Sequence, residues 1–132
     1  MKRHLIVFGN SQHMRELDDN SVQLIVTSQP YFDVKDYGPD KDKVFSEAFR
    51  VLKEDGKMYV SDIVLTKMLS EKQKNDEELI SGCVGGAILR DAYIKKLEDA
   101  GFKVKIIGED RDISERQYGG IPLESLKIEA RK

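Results

Sequence analysis

A strand–helix–strand pattern in the first half of the chain restricts the fold most. Val22–Thr27 is a nearly continuous apolar run, typical of a strand that is buried on both faces of a parallel sheet. An apolar face then recurs at helical spacing through Phe45, Ala48, Phe49 and Leu52. Glu54–Gly56 is expected to end this helix, and Met58–Asp62 is the next predicted strand. Two parallel strands joined by a helix form a right-handed unit, so the pattern predicts an α/β fold.

The second half of the chain continues this alternation of helices and strands. One apolar face, formed by Tyr93, Leu97 and Ala100, predicts a helix that stops at Gly101. Two later segments alternate apolar and charged residues, around Val104 and Ile106 and around Leu126, Ile128 and Ala130. Such alternation predicts strands with one solvent-exposed face. Ser70 is a predicted N-cap for a further helix that begins at Glu71.

Length and charge exclude several classes of protein. The 132 residues suffice for one domain, with 35% charged residues, a formal net charge of −2 and a single cysteine. Binding to nucleic acid or an anionic membrane needs a concentrated basic surface, so neither partner is expected. Since Cys83 alone cannot form an intramolecular disulfide, and no segment has the length of a signal peptide or a membrane span, we expect a cytoplasmic protein.

Three motifs carry a resemblance to a known family. Residues 51–63, VLKEDGKMYVSDI, are similar to the VLKPGG segment and following SDIV strand of class I S-adenosylmethionine (SAM) methyltransferases. Residues 75–87, NDEELISGCVGGA, and 97–102, LEDAGF, resemble the NDPEL…GCVAGA and LEEAGF motifs of arsenite methyltransferases. The chain from about residue 19 to its end thus resembles the C-terminal half of an arsenite methyltransferase.

This resemblance implies candidate site residues. Cys83 matches a cysteine that binds trivalent arsenic in that family, and a soft thiolate suits such a thiophilic centre. Asp62 and Ser28 end predicted parallel strands, where α/β proteins bind ligands, and are candidates for substrate contact. No metal site is expected beyond this metalloid contact. The candidate cofactor residues, at the ends of two predicted strands, are Gly9, Asn10, Ser11, Ser28 and Gln29.

The resemblance also implies that part of the fold is missing. The family's Gly-rich segment, which holds the methionine end of SAM, has no match here, so SAM is implied while its binding is in question. Residues 1–132 are expected to form one truncated Rossmann-like domain, mostly parallel, with helices on both faces. An antiparallel C-terminal strand should lie between those at Met58 and Val104. His4–Phe8 should pair with the free edge of Val22–Thr27 as a fourth parallel strand, or two chains should pair there.

Two functions therefore stay open. The first is a SAM-dependent, arsenite methyltransferase-like protein that is incomplete or inactive as an isolated chain. The alternative is a non-catalytic module that oligomerises or binds a thiophilic metalloid, and completes a site with another chain. Residues 21–38 also resemble the region around the (D/N/S)PPY motif of DNA amino-methyltransferases, with Gln29 where that family has its first proline.

Overall fold

A computed structural model of the chain describes residues 4–8, 11–28, 43–75 and 87–132. The strands in this part of the chain are β1 (Val22–Thr27), β2 (Leu52–Leu65), β3 (Lys103–Asp110) and β4 (Leu123–Arg131). The helices are α1 (Lys43–Val51), α2 (Glu71–Lys74), α3 (Arg90–Asp99) and α4 (Ile113–Gln117). The strands predicted around Val22, Met58, Val104 and Leu126 and the two predicted long helices are therefore present, although their boundaries differ.

The four strands form one sheet in the order β1-β2-β4-β3. β1 runs parallel to β2, whereas β4 lies antiparallel between β2 and β3. Three of the four strands therefore point in the same direction, and the predicted insertion of the C-terminal strand is confirmed. This arrangement brings the carboxyl ends of β1 and β2 to one edge of the sheet, where α/β folds collect functional groups.

The prediction of a fourth parallel strand is wrong. Residues 4–8 form no strand, and Leu5, Ile6 and Phe8 are exposed. The residues that follow are instead tied to α1, because the Arg50 guanidinium donates to the backbone oxygens of Met14 at 3.0 Å and of Leu17 at 3.1 Å. A short apolar run forms a strand only where it finds both a hydrogen-bonding edge and a surface that covers it.

The main core lies between one face of the sheet and the two long helices. It is built by alternate residues of the strands, among them Met58 and Val60 in β2 and Ile128 in β4. From the helices, the rings of Phe45 and Tyr93 meet edge to face with their centroids 5.9 Å apart. This packing seats α3 against the carboxyl half of β2 and positions Tyr93 for the site described below.

The opposite face of the sheet is covered only at one end by described residues. There Ile113 of the short helix α4 packs on Leu65 and Leu123, so helices do lie on both faces. Leu24 and Val26 of β1, which are level with Lys57 and Tyr59 of β2, are 56% and 74% exposed. The prediction that β1 is covered on both faces is therefore wrong for the described residues. An apolar run predicts that a segment forms a strand, but it does not predict which other element packs on that strand.

Three local signals explain where helices begin and end. Ser70 accepts from the backbone of Gln73, whose side chain accepts from Ser70, so the predicted cap of α2 is confirmed as a capping box. Gly101 ends α3 at φ 110°, a backbone conformation that disfavours a Cβ. Helix α1 ends at Val51, earlier than predicted, because the backbone N–H of Ser21 donates to the Val51 oxygen at 2.8 Å.

Candidate functional site

The candidate site begins with two predicted residues at the carboxyl ends of parallel strands. Ser28 directly follows β1, and Asp62 lies near the end of β2. Because Thr27 is level with Val60 in the parallel register, Ser28 lies close to residues 61–62 of β2. The Ser28 hydroxyl donates to Asp62 Oδ1 at 2.9 Å. The structure thus brings together two of the residues that the sequence nominated for substrate contact.

Helix α3 supplies a third member of this cluster. The Tyr93 hydroxyl donates to Asp62 Oδ2 in a short hydrogen bond. Tyr93 is 3% exposed and Asp62 is 7% exposed. Burial, followed by the neighbouring Asp62 carboxylate, raises the pKa of the Tyr93 phenol far above its ordinary value. The phenol therefore stays protonated and serves as a fixed hydrogen-bond donor.

This arrangement sets the chemistry that the cluster offers. The Asp62 carboxyl group accepts from Ser28 on Oδ1 and from Tyr93 on Oδ2, so both β1 and α3 contribute to its orientation. The Ser28 hydroxyl uses its proton toward Asp62, which leaves its oxygen lone pairs available to accept a hydrogen bond from a bound molecule. Ser28 is exposed, whereas its two partners are buried. The cluster therefore presents an oriented acceptor at the surface with a buried carboxyl group behind it.

A second buried carboxylate lies on the same face of the sheet. Glu124 of β4 is fully buried and is level with Val64. Its carboxylate oxygens lie 3.0 Å from the Nε atoms of Arg90 and Arg111. Glu124 was not predicted as a buried residue, although the alternation through Leu126, Ile128 and Ala130, extended back by two residues, places it on the core face. Its two arginine partners identify it as a buried ion pair that joins α3 to the sheet.

Comparison with known proteins identifies the family to which this chain belongs. Residues 7–108, which include β1, α1, β2, α3 and most of β3, match the family model of a methyltransferase domain. The chain belongs to the methyltransferase-domain family. An arsenite methyltransferase from Aquipseudomonas alcaligenes is 35% identical over 99 residues, which are 75% of this chain and 28% of that protein. Another, from Halobacterium salinarum, is 32% identical over 122 residues, 86% of this chain and 30% of that protein.

Solved structures agree with this fold. An arsenic(III) S-adenosylmethionine methyltransferase from Chlamydomonas reinhardtii superposes with a TM-score of 0.63 at 26% identity, over 94% of this chain and 42% of that one. A SAM-dependent methyltransferase from Thermotoga maritima gives a TM-score of 0.64 at 18% identity, over 97% of this chain and 64% of that one. This methyltransferase-domain chain therefore spans less than a third of the curated relatives' length and less than two thirds of these solved chains.

Of the other predicted site residues of the methyltransferase domain, Ser11 is described, and it lies apart from the Ser28–Asp62–Tyr93 cluster. Ser11 is exposed and lines a surface pocket with Leu5, Val7 and His13. Cys83, Gly9, Asn10 and Gln29 lie outside the described residues, as does the rest of the segment that resembles DNA amino-methyltransferases. Within the described ranges, no group of three or more His, Cys, Asp or Glu side chains could hold a metal ion.

The described residues do not fit the SAM cofactor. A SAM cradle needs glycines between the carboxyl end of a strand and the N-terminus of a helix, so that the backbone can approach the ligand. The described glycines lie elsewhere: Gly56 within β2, Gly101 after α3, Gly108 within β3, and Gly119 and Gly120 after α4.

None of the described helices is long and apolar enough to cross a membrane.

Proposed function

We propose that this chain provides the substrate side of an arsenite methyltransferase-like enzyme in which SAM donates the methyl group. The observation that carries the proposal is the Ser28–Asp62–Tyr93 cluster at the carboxyl ends of β1 and β2. It occurs in a methyltransferase domain whose curated relatives include arsenite methyltransferases. The proposed substrate is therefore a trivalent arsenic species.

Each residue has a defined role in this proposal. The Ser28 oxygen accepts a hydrogen bond from a hydroxyl group on arsenic, because its own proton is directed to Asp62. Tyr93 and Asp62 act as positioning residues, since they hold Ser28 without reaching the surface themselves. Cys83 is the proposed thiolate contact to arsenic, as the family resemblance implies, and a soft thiolate matches that soft centre. We place this chemistry in the cytoplasm, where thiols are kept reduced.

The cofactor side of the enzyme is proposed to lie on additional polypeptide. SAM would supply an electrophilic methyl group, but the described residues contain no glycine-lined cradle for it. Alignment of the nucleophile and the methyl group accounts for most of the rate in such transfers, so the described residues alone should not transfer methyl groups. We therefore propose that the 132-residue chain is inactive alone.

Isothermal titration of the reduced chain with S-adenosylhomocysteine tests the cofactor part of the proposal. We expect no detectable heat at high ligand concentration. Binding near micromolar, or about −8 kcal/mol, would show that these residues build a cofactor site on their own and would refute the proposed incompleteness.

A separate measurement tests the substrate part. The chain is incubated with arsenite, desalted, and its retained arsenic is quantified by mass spectrometry. We expect the wild-type chain to retain arsenic, Cys83→Ser to lose it and Ser28→Ala to retain less. Ser61→Ala is the matched control, because Ser61 is exposed on β2 and lies on the other face from Asp62. No retention by the wild type, or equal retention by all variants, would refute the substrate role.

A second candidate function is a non-catalytic assembly module. One observation favours it, namely the exposure of Leu24 and Val26 on β1. A chain that associates with other copies but binds neither S-adenosylhomocysteine nor arsenite would support this function over the first.

A further inference from the structure

Helix α3 contacts the sheet through two polar groups as well as through apolar side chains. Of its ten residues only Tyr93 and Leu97 are buried, so few apolar side chains determine its position. Arg90 and Tyr93 are three residues apart and therefore lie on the same side of the helix. The Arg90 Nε atom lies 3.0 Å from Glu124 Oε1, and the Tyr93 hydroxyl donates to Asp62. The first turn of α3 is thus bound to two different strands, β4 and β2.

The two carboxyl groups that receive these contacts are neighbours on the core face of the sheet. Glu124 is level with Val64, which lies two residues after Asp62 on β2. Residues two apart on a strand share a face, so Glu124 and Asp62 are diagonal neighbours, roughly 7–8 Å apart. Side chains three residues apart on a helix have a similar spacing. One placement of α3 therefore satisfies both polar contacts at once.

The contact between Arg90 and Glu124 is costly to break. Glu124 is fully buried, and neither Arg90 Nε nor Glu124 Oε1 has a hydrogen-bond partner elsewhere among the described residues. A displacement of α3 would leave Glu124 Oε1 buried without a cation beside it, which carries a large penalty. The hydrophobic effect, in contrast, has no direction and tolerates small displacements of Leu97. The ion pair therefore determines the position of the first turn of α3 more sharply than apolar packing does.

We propose that Arg90 and Glu124 are positioning residues for the Ser28–Asp62–Tyr93 cluster. Their ion pair sets the first turn of α3 and thereby brings the Tyr93 hydroxyl to Asp62. Asp62 in turn orients the Ser28 hydroxyl, which is the exposed member of the cluster. The part of this inference that concerns a substrate rests on the function proposed above, whereas the placement of Tyr93 does not.

A thermodynamic cycle tests this placement without any ligand. Tyr93→Phe removes the hydroxyl and should lower the folding equilibrium constant of the wild-type chain about 30-fold. In an Arg90→Gln background the hydroxyl is no longer held at Asp62, so the same substitution should lower that constant less than about threefold. Urea denaturation of the four chains gives both factors. Equal factors in the two backgrounds would show that the two contacts act independently and would overturn the proposal.

Arg111→Gln is the matched control background. The Arg111 Nε atom lies 3.0 Å from the other oxygen of Glu124, but Arg111 follows β3 and its side chain is 68% exposed. This substitution removes a cation from the same carboxyl group without altering α3, so Tyr93→Phe should still lower the folding constant about 30-fold. Loss of that effect in Arg111→Gln would assign it to the charge near Glu124 rather than to the placement of α3, and would overturn the proposal.

A second background keeps the test decisive if Arg90→Gln does not fold. Arg90→Met combined with Glu124→Leu replaces the buried pair by apolar side chains of similar size, an exchange that often preserves stability. We expect a folded chain in which Tyr93→Phe again has an effect of less than about threefold. An effect of about 30-fold would show that apolar packing alone places Tyr93. Failure of this chain to fold would make the ion pair a requirement for folding, and either result would overturn the positioning role.

Retention of arsenite separates this inference from the proposed function. In the desalting measurement described above, Arg90→Gln, or the double variant in its place, should retain as little arsenic as Ser28→Ala. Arg111→Gln should retain as much as the wild type. Unchanged retention in Arg90→Gln would overturn its positioning role for the substrate. A wild-type chain that retains no arsenic would refute the proposed function, and the placement of Tyr93 would then be decided by the cycle alone.

Discussion

The hydroxyl of Tyr93 can be removed with little other change to the core. In Tyr93→Phe the ring keeps its shape and its edge-to-face contact with Phe45, while Asp62 Oδ2 loses the phenolic donor. A hydrogen bond to a charged group contributes about 1.5–3 kcal/mol, and the low exposure of Asp62, 7%, places this bond well within that range. We expect a loss of about 2 kcal/mol in the free energy of unfolding. For a chain of 132 residues this corresponds to a decrease in Tm of about 7 °C.

Urea denaturation of the wild type and Tyr93→Phe at neutral pH measures this loss. Tyr59→Phe is the matched control, because the Tyr59 hydroxyl donates to Glu129 at 3.3 Å from a half-buried position and should contribute about 0.5 kcal/mol or less. Because the pKa of Tyr93 is raised in the folded state, its contribution to the free energy of unfolding is complete below the ordinary tyrosine pKa of 10.0. This contribution is lost as the pH rises through the folded-state pKa. Equal stability of Tyr93→Phe and wild type would refute the assignment of Tyr93 as the donor that holds Asp62.

Gly101→Ala should destabilise the chain by about 2–3 kcal/mol, because alanine is strained at φ 110° and its Cβ would lie 2.8 Å from the Phe49 ring. Gly119→Ala, at φ 60° with open space around it, is the control and should cost about 1 kcal/mol in thermal unfolding; equal losses would argue against the Phe49 contact. The pKa of Glu129 is held below its ordinary value of 4.5, first by the hydrogen bond from Lys57, so its contribution to stability is present above pH 4.5 and is lost as pH falls below that value. Urea midpoints measured from about pH 6 to about pH 3 should therefore fall less steeply in Glu129→Gln than in the wild type, and parallel curves would contradict this role.

The candidate site was partly predictable because strand ends are visible in a sequence. Ser28 and Asp62 each follow an apolar run, and parallel strands place their carboxyl ends at one edge of the sheet. Tyr93 was assigned to the apolar face of a helix and was not predicted as a site residue. Its hydrogen bond joins residues 31 positions apart, and this distance depends on how α3 packs against β2. Helical periodicity gives the direction of a side chain and does not identify the group that it meets.

The sequence by itself determined the local elements of this methyltransferase domain: the strand–helix–strand pattern, the cap at Ser70, the end of α3 at Gly101 and the alternating strands β3 and β4. These features depend on neighbouring residues and on the period of apolar side chains. Only the tertiary structure decided that residues 4–8 form no strand, that β1 comes first in the strand order of the described sheet and that Glu124 is buried between two arginines. Each of these outcomes depends on contacts between segments far apart in the chain, since a strand needs a partner edge and a buried charge needs an opposite charge.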